Sequence, residues 1–513
     1  MTYLSGTSVY LDAGERDGLT EGALLDVIRR GSPVAQLRAR FVSPSRSQCD
    51  LVPGGATDLQ VGDSVRYTRR SGAAVAAALA KDTAAAVQIT SAAARSRPLT
   101  GTNQLHGRLG VRYLAAWQRD SGAARLAQPA SDVRIDGAVP GIASLEIAVD
   151  ARARRTQSVT IDGVTAPSRT STLIYQSSLA WRAAPGARVR LGRQYSTELS
   201  AVSLFDGALL EMDSRHVGAG AFAGTQPDVL TMGYSTRVRE YGAYVSARAT
   251  PLNSAASLTT GAIGSYDGGQ IDREFGFVSA SWYGRLASLY AVQELDYNRG
   301  WKQTLGTPTF LPTSTFASLR VRATDAVSIQ AGYDSRRSVR LYRNYITPAV
   351  TFDDSFRTGI WGGLFAEIGS HANASFDARH SKGGLADTTR VSGAANVFTM
   401  TASLHDETRI PSAVRTRTSV FRTPAASGWL QTLAVSGNLT ETVQLEASGG
   451  LRRDIPAAGT ASAAISPRLT VRWLELDADV SLGRSWYLLF AASSERGGWE
   501  GSDQIYSALT YRF

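Results

Sequence analysis

From Gln104 to Phe513 apolar and polar side chains alternate along one short segment after another, and few folds accept that pattern over so long a stretch. Ala317, Leu319, Val321 and Ala323 share one parity, and Ser318, Arg320 and Arg322 share the other. A break at Thr324-Asp325 follows, and Val327, Ile329, Ala331 and Tyr333 then resume the apolar side against Ser328, Gln330 and Asp334. Leu433, Val435 and Leu439 turn through Thr440-Glu441 into Val443, Leu445, Ala447 and Leu451. A strand points successive side chains to opposite faces, so each segment has one apolar and one polar side.

The breaks are also ordered. Tight turns are predicted near residues 140, 184, 213, 251, 284, 324, 370, 396, 440 and 483. Longer polar connections, such as 154–170, 298–312 and 336–355, lie between them. Short turns at one end and long loops at the other are what a transmembrane β-barrel needs. With both ends of the region on the short-turn side, the ten turns predict 22 strands, within a range of 18 to 24. The ~410 residues then supply about 19 per strand and connection, enough for the ~9–11 that cross a bilayer. The span 409–427 has room for a further pair of strands, and a phase change between Trp473 and Leu474 reads as a β-bulge.

A soluble sandwich alternates in the same way, but soluble cores split beyond ~250–300 residues and this pattern has no such break. A propeller would repeat every ~40–50 residues, and no such repeat is present. Aromatic residues near the predicted strand ends (Tyr113, Trp117, Trp181, Tyr195, Trp282, Tyr297, Tyr333, Tyr511 and Phe513) suit the girdles at two membrane interfaces. Overall hydrophobic content is 43%, and no run approaches the ~18 apolar residues of a membrane helix. A barrel escapes that test because its two faces cancel in any average. The fold class expected over 104–513 is therefore all-β, a large antiparallel transmembrane β-barrel.

The last residues sharpen this. Ile505, Leu509, Tyr511 and Phe513 fall on one parity, Gln504, Thr510 and Arg512 on the other, and an aromatic ends the chain. Leu509, Tyr511 and Phe513 resemble the C-terminal insertion signal of bacterial outer-membrane β-barrels of the porin and channel kind. The resemblance implies outer-membrane lipid and the barrel-assembly machinery as partners, and a Gram-negative outer membrane as the location. The segment after Met1 has neither a charged n-region nor an apolar h-region, so this reading expects the export leader upstream of Met1, from a processed form or a misplaced start.

Residues 1–69 form a separate unit. Short strands are expected at 8–14, 24–27, 34–41, 48–52 and 61–67, with turn chemistry at Asp17-Gly18, Glu21-Gly22 and Gly62-Asp63. This pattern resembles the small SH3-like modules of bacterial envelope proteins, which implies a periplasmic unit that docks a periplasmic protein or a cell-wall partner. Residues 70–103 are Ala-rich and predict a helical linker ending before Pro98, either a spacer or a helix entering the barrel mouth. Cys49 is the single cysteine and predicts a buried apolar position in the first unit.

No catalytic pattern emerges. His106, His216, His371, His380 and His405 lie in no HExxH, and no GxSxG stands at a strand-to-helix elbow. The expectation is a non-enzyme without cofactor or metal. The net charge is +10 and nearly all cations are arginine, the lysines being Lys81, Lys302 and Lys382. They are spread along the chain, not clustered, which argues against a nucleic-acid partner. Arg108, Arg112, Arg188, Arg190, Arg320, Arg322, Arg468 and Arg472 take the polar parity and are the candidate lumen-lining residues. Either they raise the local concentration of anions, or they pair with acids such as Glu146, Glu446, Asp477 and Asp479. The function expected is passive passage or export of polar solutes, anions among them, or of a polymer. The alternative is a structural or assembly anchor whose SH3-like module does the docking. A lumen of ~22 strands is wide and usually plugged, so the linker, the first unit or a folded-in loop would have to narrow it.

Overall fold

The computed structural model describes strands between residues 3 and 67, and residues 105–513 except for parts of the connections, the longest being 343–355 and 458–468. The first unit contains β1 (Tyr3–Ser5), β2 (Ser8–Leu11), β3 (Leu24–Arg29), β4 (Ser32–Val42), β5 (Ser47–Leu51) and β6 (Ser64–Tyr67). They pair as one six-stranded antiparallel sheet in the order β1-β2-β5-β4-β3-β6. Leu25, Val27 and Leu37 are fully buried and alternate as a half-buried sheet requires. Cys49 pairs with Val9 and Ala39 in the ladder, while its side chain and the expected helix over 70–103 lie outside the described residues.

The second part is a closed barrel of 22 strands. Its first half comprises β7 (His106–Gln118), β8 (Arg125–Val139), β9 (Ile142–Thr156), β12 (Arg169–Ala184), β13 (Ala187–Gln194), β14 (Phe205–Asp213), β15 (Val217–Thr225), β16 (Val238–Ala249), β17 (Ala255–Asp267), β18 (Gln270–Tyr283) and β19 (Ala287–Tyr297). A two-strand hairpin, β10 (Thr160–Ile161) with β11 (Val164–Thr165), sits in the connection before β12. The second half comprises β20 (Phe310–Arg322), β21 (Val327–Arg337), β22 (Phe356–Ile368), β23 (Ala372–Gly384), β24 (Gly393–Asp406), β25 (Ser412–Arg422), β26 (Ala426–Asn438), β27 (Val443–Pro456), β28 (Leu469–Leu482), β29 (Trp486–Arg496) and β30 (Ser502–Arg512). Each strand pairs with its neighbour in the chain, antiparallel, and β30 pairs with β7 to close the cylinder. No helix among the described residues is long and apolar enough to cross a membrane; α1 (Trp301–Thr304) is a single turn.

Closure is made at the last residue. The Gly107 amide donates to the Phe513 carbonyl (3.0 Å) and the Phe513 amide donates back to Gly107 (3.1 Å). Tyr511 packs on Trp486 with ring centroids 4.9 Å apart and on Phe513 at 6.0 Å. The Phe513 ring occupies the space a β-carbon on Gly107 would need. Leu509, Tyr511 and Phe513 share the face that carries Leu109, Val111 and Tyr113 on β7, and these three are more than 40% exposed. Apolar exposure of this kind runs round the whole outer surface, for example Leu210 and Met212 on β14, Ile360 and Leu364 on β22, and Leu474 and Leu476 on β28. In water it would be a severe liability; against hydrocarbon it is the matching surface.

The predicted count holds, but two details are corrected. The turn expected near residue 396 lies inside β24, where Asn396 pairs with His380 and Arg422, and the connection falls at 407–411 instead. Ala394-Ala395-Asn396 is poor in strand formers, and pairing on both sides overrides that preference. The span 409–427 does take part in a strand pair, β25 with β26. The bulge expected between Trp473 and Leu474 is also absent: the ladders to β27 and β29 pass through both residues without a shift. Trp473 instead turns to the inner face and lies over Gly450, which has no side chain to oppose it. Arg472 therefore shares the outward parity of Leu474 and Leu476. Of the expected interface aromatics, Tyr113 and Tyr333 fall in mid-strand and the other strand residues nearer the ends. At the loop end β17 and β18 are joined by only Gly268-Gly269, both at positive φ, the conformation a two-residue hairpin turn demands.

Adding a methyl group at Gly107 tests the seam. Gly107→Ala is expected to displace the Phe513 ring and lower unfolding stability by about 1–3 kcal/mol. Urea titration in detergent, followed by the heat-dependent gel shift of folded barrels, reads this; an unchanged midpoint would show that the seam does not need the bare glycine.

Candidate pore lining and its inward segment

The inner wall is set by parity. Where outward positions on β7 and β8 are apolar, the inward ones carry charge. Arg108 and Arg112 both approach Asp132 on β8, at 3.5 and 3.9 Å. Arg188 on β13 bonds Glu146 on β9, and Arg182 reaches the same carboxylate at 3.4 Å. Arg190 donates to the Tyr195 carbonyl at 3.5 Å. Arg320 donates to Ser328 at 3.4 Å, and Arg320 and Arg322 both stand on the inward parity of β20, exposed to water. Arg472 faces outward, and Arg468 lies outside the described residues.

The expected alternatives for these arginines therefore divide by position. Arg108, Arg112 and Arg188 pair with acids one or two strands away, along the wall and not across the lumen, while Arg190 bonds a backbone carbonyl. Glu446, Asp477 and Asp479 stand elsewhere, on β27 and β28: Glu446 is directly opposite Asp477 in the ladder, and Glu475 and Asp479 flank it on the same face. That stretch of wall is acidic. Arg320 and Arg322 carry positive charge at the turn end, exposed to water, with Glu367 within electrostatic reach of Arg322.

The feature that parity did not reveal is the connection between β13 and β14. These two strands are short, eight and nine residues, and of the described residues between them Glu198, Leu199 and Val202 pack inward. Leu199 and Phe205 are fully buried and cluster with Val202, Leu209, Phe222, Tyr244, Ile263, Phe275 and Phe277, residues on the inner face of β14 to β18. Phe205 and Phe222 pack with ring centroids 4.8 Å apart. Glu198 is held by the Thr259 hydroxyl (3.0 Å) and lies 3.6 Å from Arg248, which also bonds Asp213. These residues thus line one side of the lumen with an apolar patch pinned by an ionic contact. Of the three means of narrowing that the sequence left open, this one is visible among the described residues.

The loop end is also tied down between β18 and β20. Arg273 bonds Asp296 and Glu294 at 2.7 and 2.8 Å, and Thr313 donates to Asp296 at 2.6 Å. Trp301 donates its ring N–H to the Ile271 carbonyl (2.7 Å) and meets Tyr342 edge-on. Lys302 is buried beneath this cap; burial pulls its pKa below the ordinary lysine range, against the opposing attraction of Asp296 and Asp272.

Sequence reasoning missed Arg248, Arg273, Arg379, Arg415 and Arg417 on the inner wall. For Arg415 and Arg417 the signal was present, since they alternate with Val414 and Val420 in the span that was left unassigned. No group of three or more histidine, cysteine or acidic residues arranged to hold a metal occurs among the described residues.

Comparison with solved structures finds this architecture in the ferric enterobactin receptor of Pseudomonas aeruginosa. A mutant of that receptor in complex with enterobactin covers 80% of this chain and 81% of its own, with a TM-score of 0.54 and 11% identity. A second mutant of the receptor covers 80% of each chain, with a TM-score of 0.53 and 11% identity. The Pseudomonas aeruginosa protein OpdL superposes more loosely, with a TM-score of 0.39 and 12% identity over 80% of this chain and 99% of its own. No protein-family model and no curated protein matches the chain. At such identity the likeness to the receptor establishes the fold: a closed outer-membrane-type β-barrel.

Truncating the inward segment's anchor is the test of its seat. Leu199→Ala should cost about 2–5 kcal/mol of local packing and loosen residues 195–204 from the wall. Limited proteolysis in detergent is expected to cut within that segment sooner in the variant; equal cutting rates would mean that Leu199 does not hold it.

Proposed function

We propose that the protein is an outer-membrane channel for polar solutes that favours anions over cations. One observation carries this reading: a sealed cylinder whose outer face is apolar and whose inner face bears water-exposed guanidinium groups at Arg320 and Arg322. Fixed positive charge in a water-filled passage with low-dielectric walls raises the local concentration of anions. The inward-packed Glu198, Leu199 and Val202 between β13 and β14 contribute to the narrowing that a barrel of this width needs in order to discriminate.

The orientation follows the general rule for such barrels, with short turns and both termini in the periplasm and longer loops outside. Residues 1–69 then lie in the periplasm. Leu509, Tyr511 and Phe513 form the signal read by the barrel-assembly machinery, with outer-membrane lipid around the apolar belt. A second reading rests on the first unit, whose paired strands and buried Leu25, Val27 and Leu37 give it a small core of its own. There the barrel is an anchor and residues 1–69 dock a periplasmic protein or a cell-wall partner.

Planar-bilayer recording separates the two. The channel reading expects stable conductance and, in a salt gradient, a reversal potential on the anion-selective side. Replacing Arg320 and Arg322 together by Gln should move that potential toward the cation-selective side. A silent barrel that co-purifies with envelope proteins favours the anchor, and an unchanged reversal potential in the double variant would remove the role given to these two arginines.

A further inference from the structure

On the inner face of β23, β24 and β25, three hydroxyls and an arginine stand together with unused hydrogen-bonding capacity. Outward positions on these strands are apolar and exposed, among them Phe376, Phe398, Met400, Leu404, Val414 and Val420. Ser375, Thr401, Ser403, Arg415 and Arg417 occupy the opposite parity and so line the lumen. The register places Ser375 beside Thr401, Thr401 beside Arg417, and Ser403 beside Arg415. Directly paired side chains stand ~5 Å apart, and those two residues along a strand ~7 Å apart. All five groups therefore fit within the reach of one small ligand.

Thr401 and Ser403 are 1% exposed and Ser375 is 9% exposed, and none of their hydroxyl oxygens has a hydrogen-bond partner. The Arg415 Nε is likewise buried without one. The next row does not share this: Thr399 and Ser419 bond each other at 2.9 Å. A buried polar group without a partner costs free energy comparable to a lost hydrogen bond, so such groups in one place call for a physical reason.

The nearby carboxylates are directed away. Asp377 on β23 accepts from Gln330 on β21 at 3.1 Å, reaching across Gly363, where no side chain intervenes. Asp334 is occupied by Arg379 at 2.8 Å. Asp377 remains within electrostatic reach of Arg417, but Arg415 on the far side has no carboxylate in salt-bridge contact among the described residues. Hydroxyl donors beside a guanidinium are the chemistry that takes up an oxyanion.

We propose that this patch is a binding station for an oxyanion, a carboxylate or phosphate group borne by a small solute. Arg415 supplies the charge-assisted contact, Thr401, Ser403 and Ser375 supply neutral donors, and Arg417 adds positive charge. This deepens the channel reading by naming a solute class and a place on the wall. It rests on that reading only for the claim that the solute then passes through.

Equilibrium dialysis of radiolabelled inorganic phosphate against the full chain in detergent tests it without requiring current. The wild type is expected to bind phosphate. Arg415→Gln should weaken binding about tenfold or more, and Ser403→Ala or Thr401→Val about three- to tenfold. Arg415→Lys should fall between wild type and Arg415→Gln, and Arg484→Gln, in the turn between β28 and β29, should bind as wild type does. The heat-dependent gel shift confirms that each variant is folded. If Arg415→Gln does not fold, the two hydroxyl variants carry the test. No phosphate binding by the wild type, or equal binding by the Arg415 and hydroxyl variants, overturns the station. Selective anion current with equal phosphate binding leaves the channel and removes the station. Phosphate binding that depends on Arg415, in a barrel that carries no current, does the reverse.

Discussion

Everything in this barrel depends on one constraint: a peptide group in hydrocarbon has no water to bond. Each unpaired amide or carbonyl there costs several kcal/mol, so a sheet in lipid is stable only without edges. The seam between β30 and β7 meets this requirement, and its last link is the reciprocal pair of bonds between Gly107 and Phe513. The bare glycine matters because the terminal aromatic lies over it. Closure, the end of the chain and an interfacial aromatic cluster with Trp486 and Tyr511 thus occur at one point.

Once the cylinder is closed, the pleat divides labour between its faces. The outer face takes Leu, Ile, Val, Phe and Met against lipid, and the inner face takes the charges. The inner wall is then sorted by sector. On β7 to β13, arginine and acid neutralise each other along the wall, as Arg108 and Arg112 do with Asp132 and Arg188 does with Glu146. Around β14 to β18 the wall is apolar, and Leu199 and Val202 pack against it. On β27 and β28 it is acidic. Exposed arginines stand on the inner face of β20, and hydroxyls without a hydrogen-bond partner stand beside Arg415 on β23 to β25. A solute moving through meets these sectors side by side, so specificity arises from where the charges stand as well as how many there are.

The comparison with the ferric enterobactin receptor concerns this shared architecture. At 11% identity the lining is this chain's own, so arguments about solute come from its residues.

Much was legible because a barrel strand is a local object. Alternation, turn residues and the terminal aromatic are written in consecutive positions. They determined the fold class, the number of strands, and inward parity for Arg108, Arg112, Arg188, Arg190, Arg320 and Arg322. Errors arose where a partner strand overrode a local preference. Asn396 looked like a turn and is held in β24 by pairing on both sides; Trp473 looked like a bulge and turns inward over Gly450, which carries Arg472 outward. The inward packing of Leu199 and Val202, the diversion of Asp377 across Gly363 and the grouping of Arg415 with Thr401 and Ser403 were decided only by tertiary structure. Each depends on how strands are set against one another, and for Asp377 also on the glycine that stands between it and Gln330. Periodicity along one strand states which face a side chain takes; only the assembled cylinder states what stands beside it.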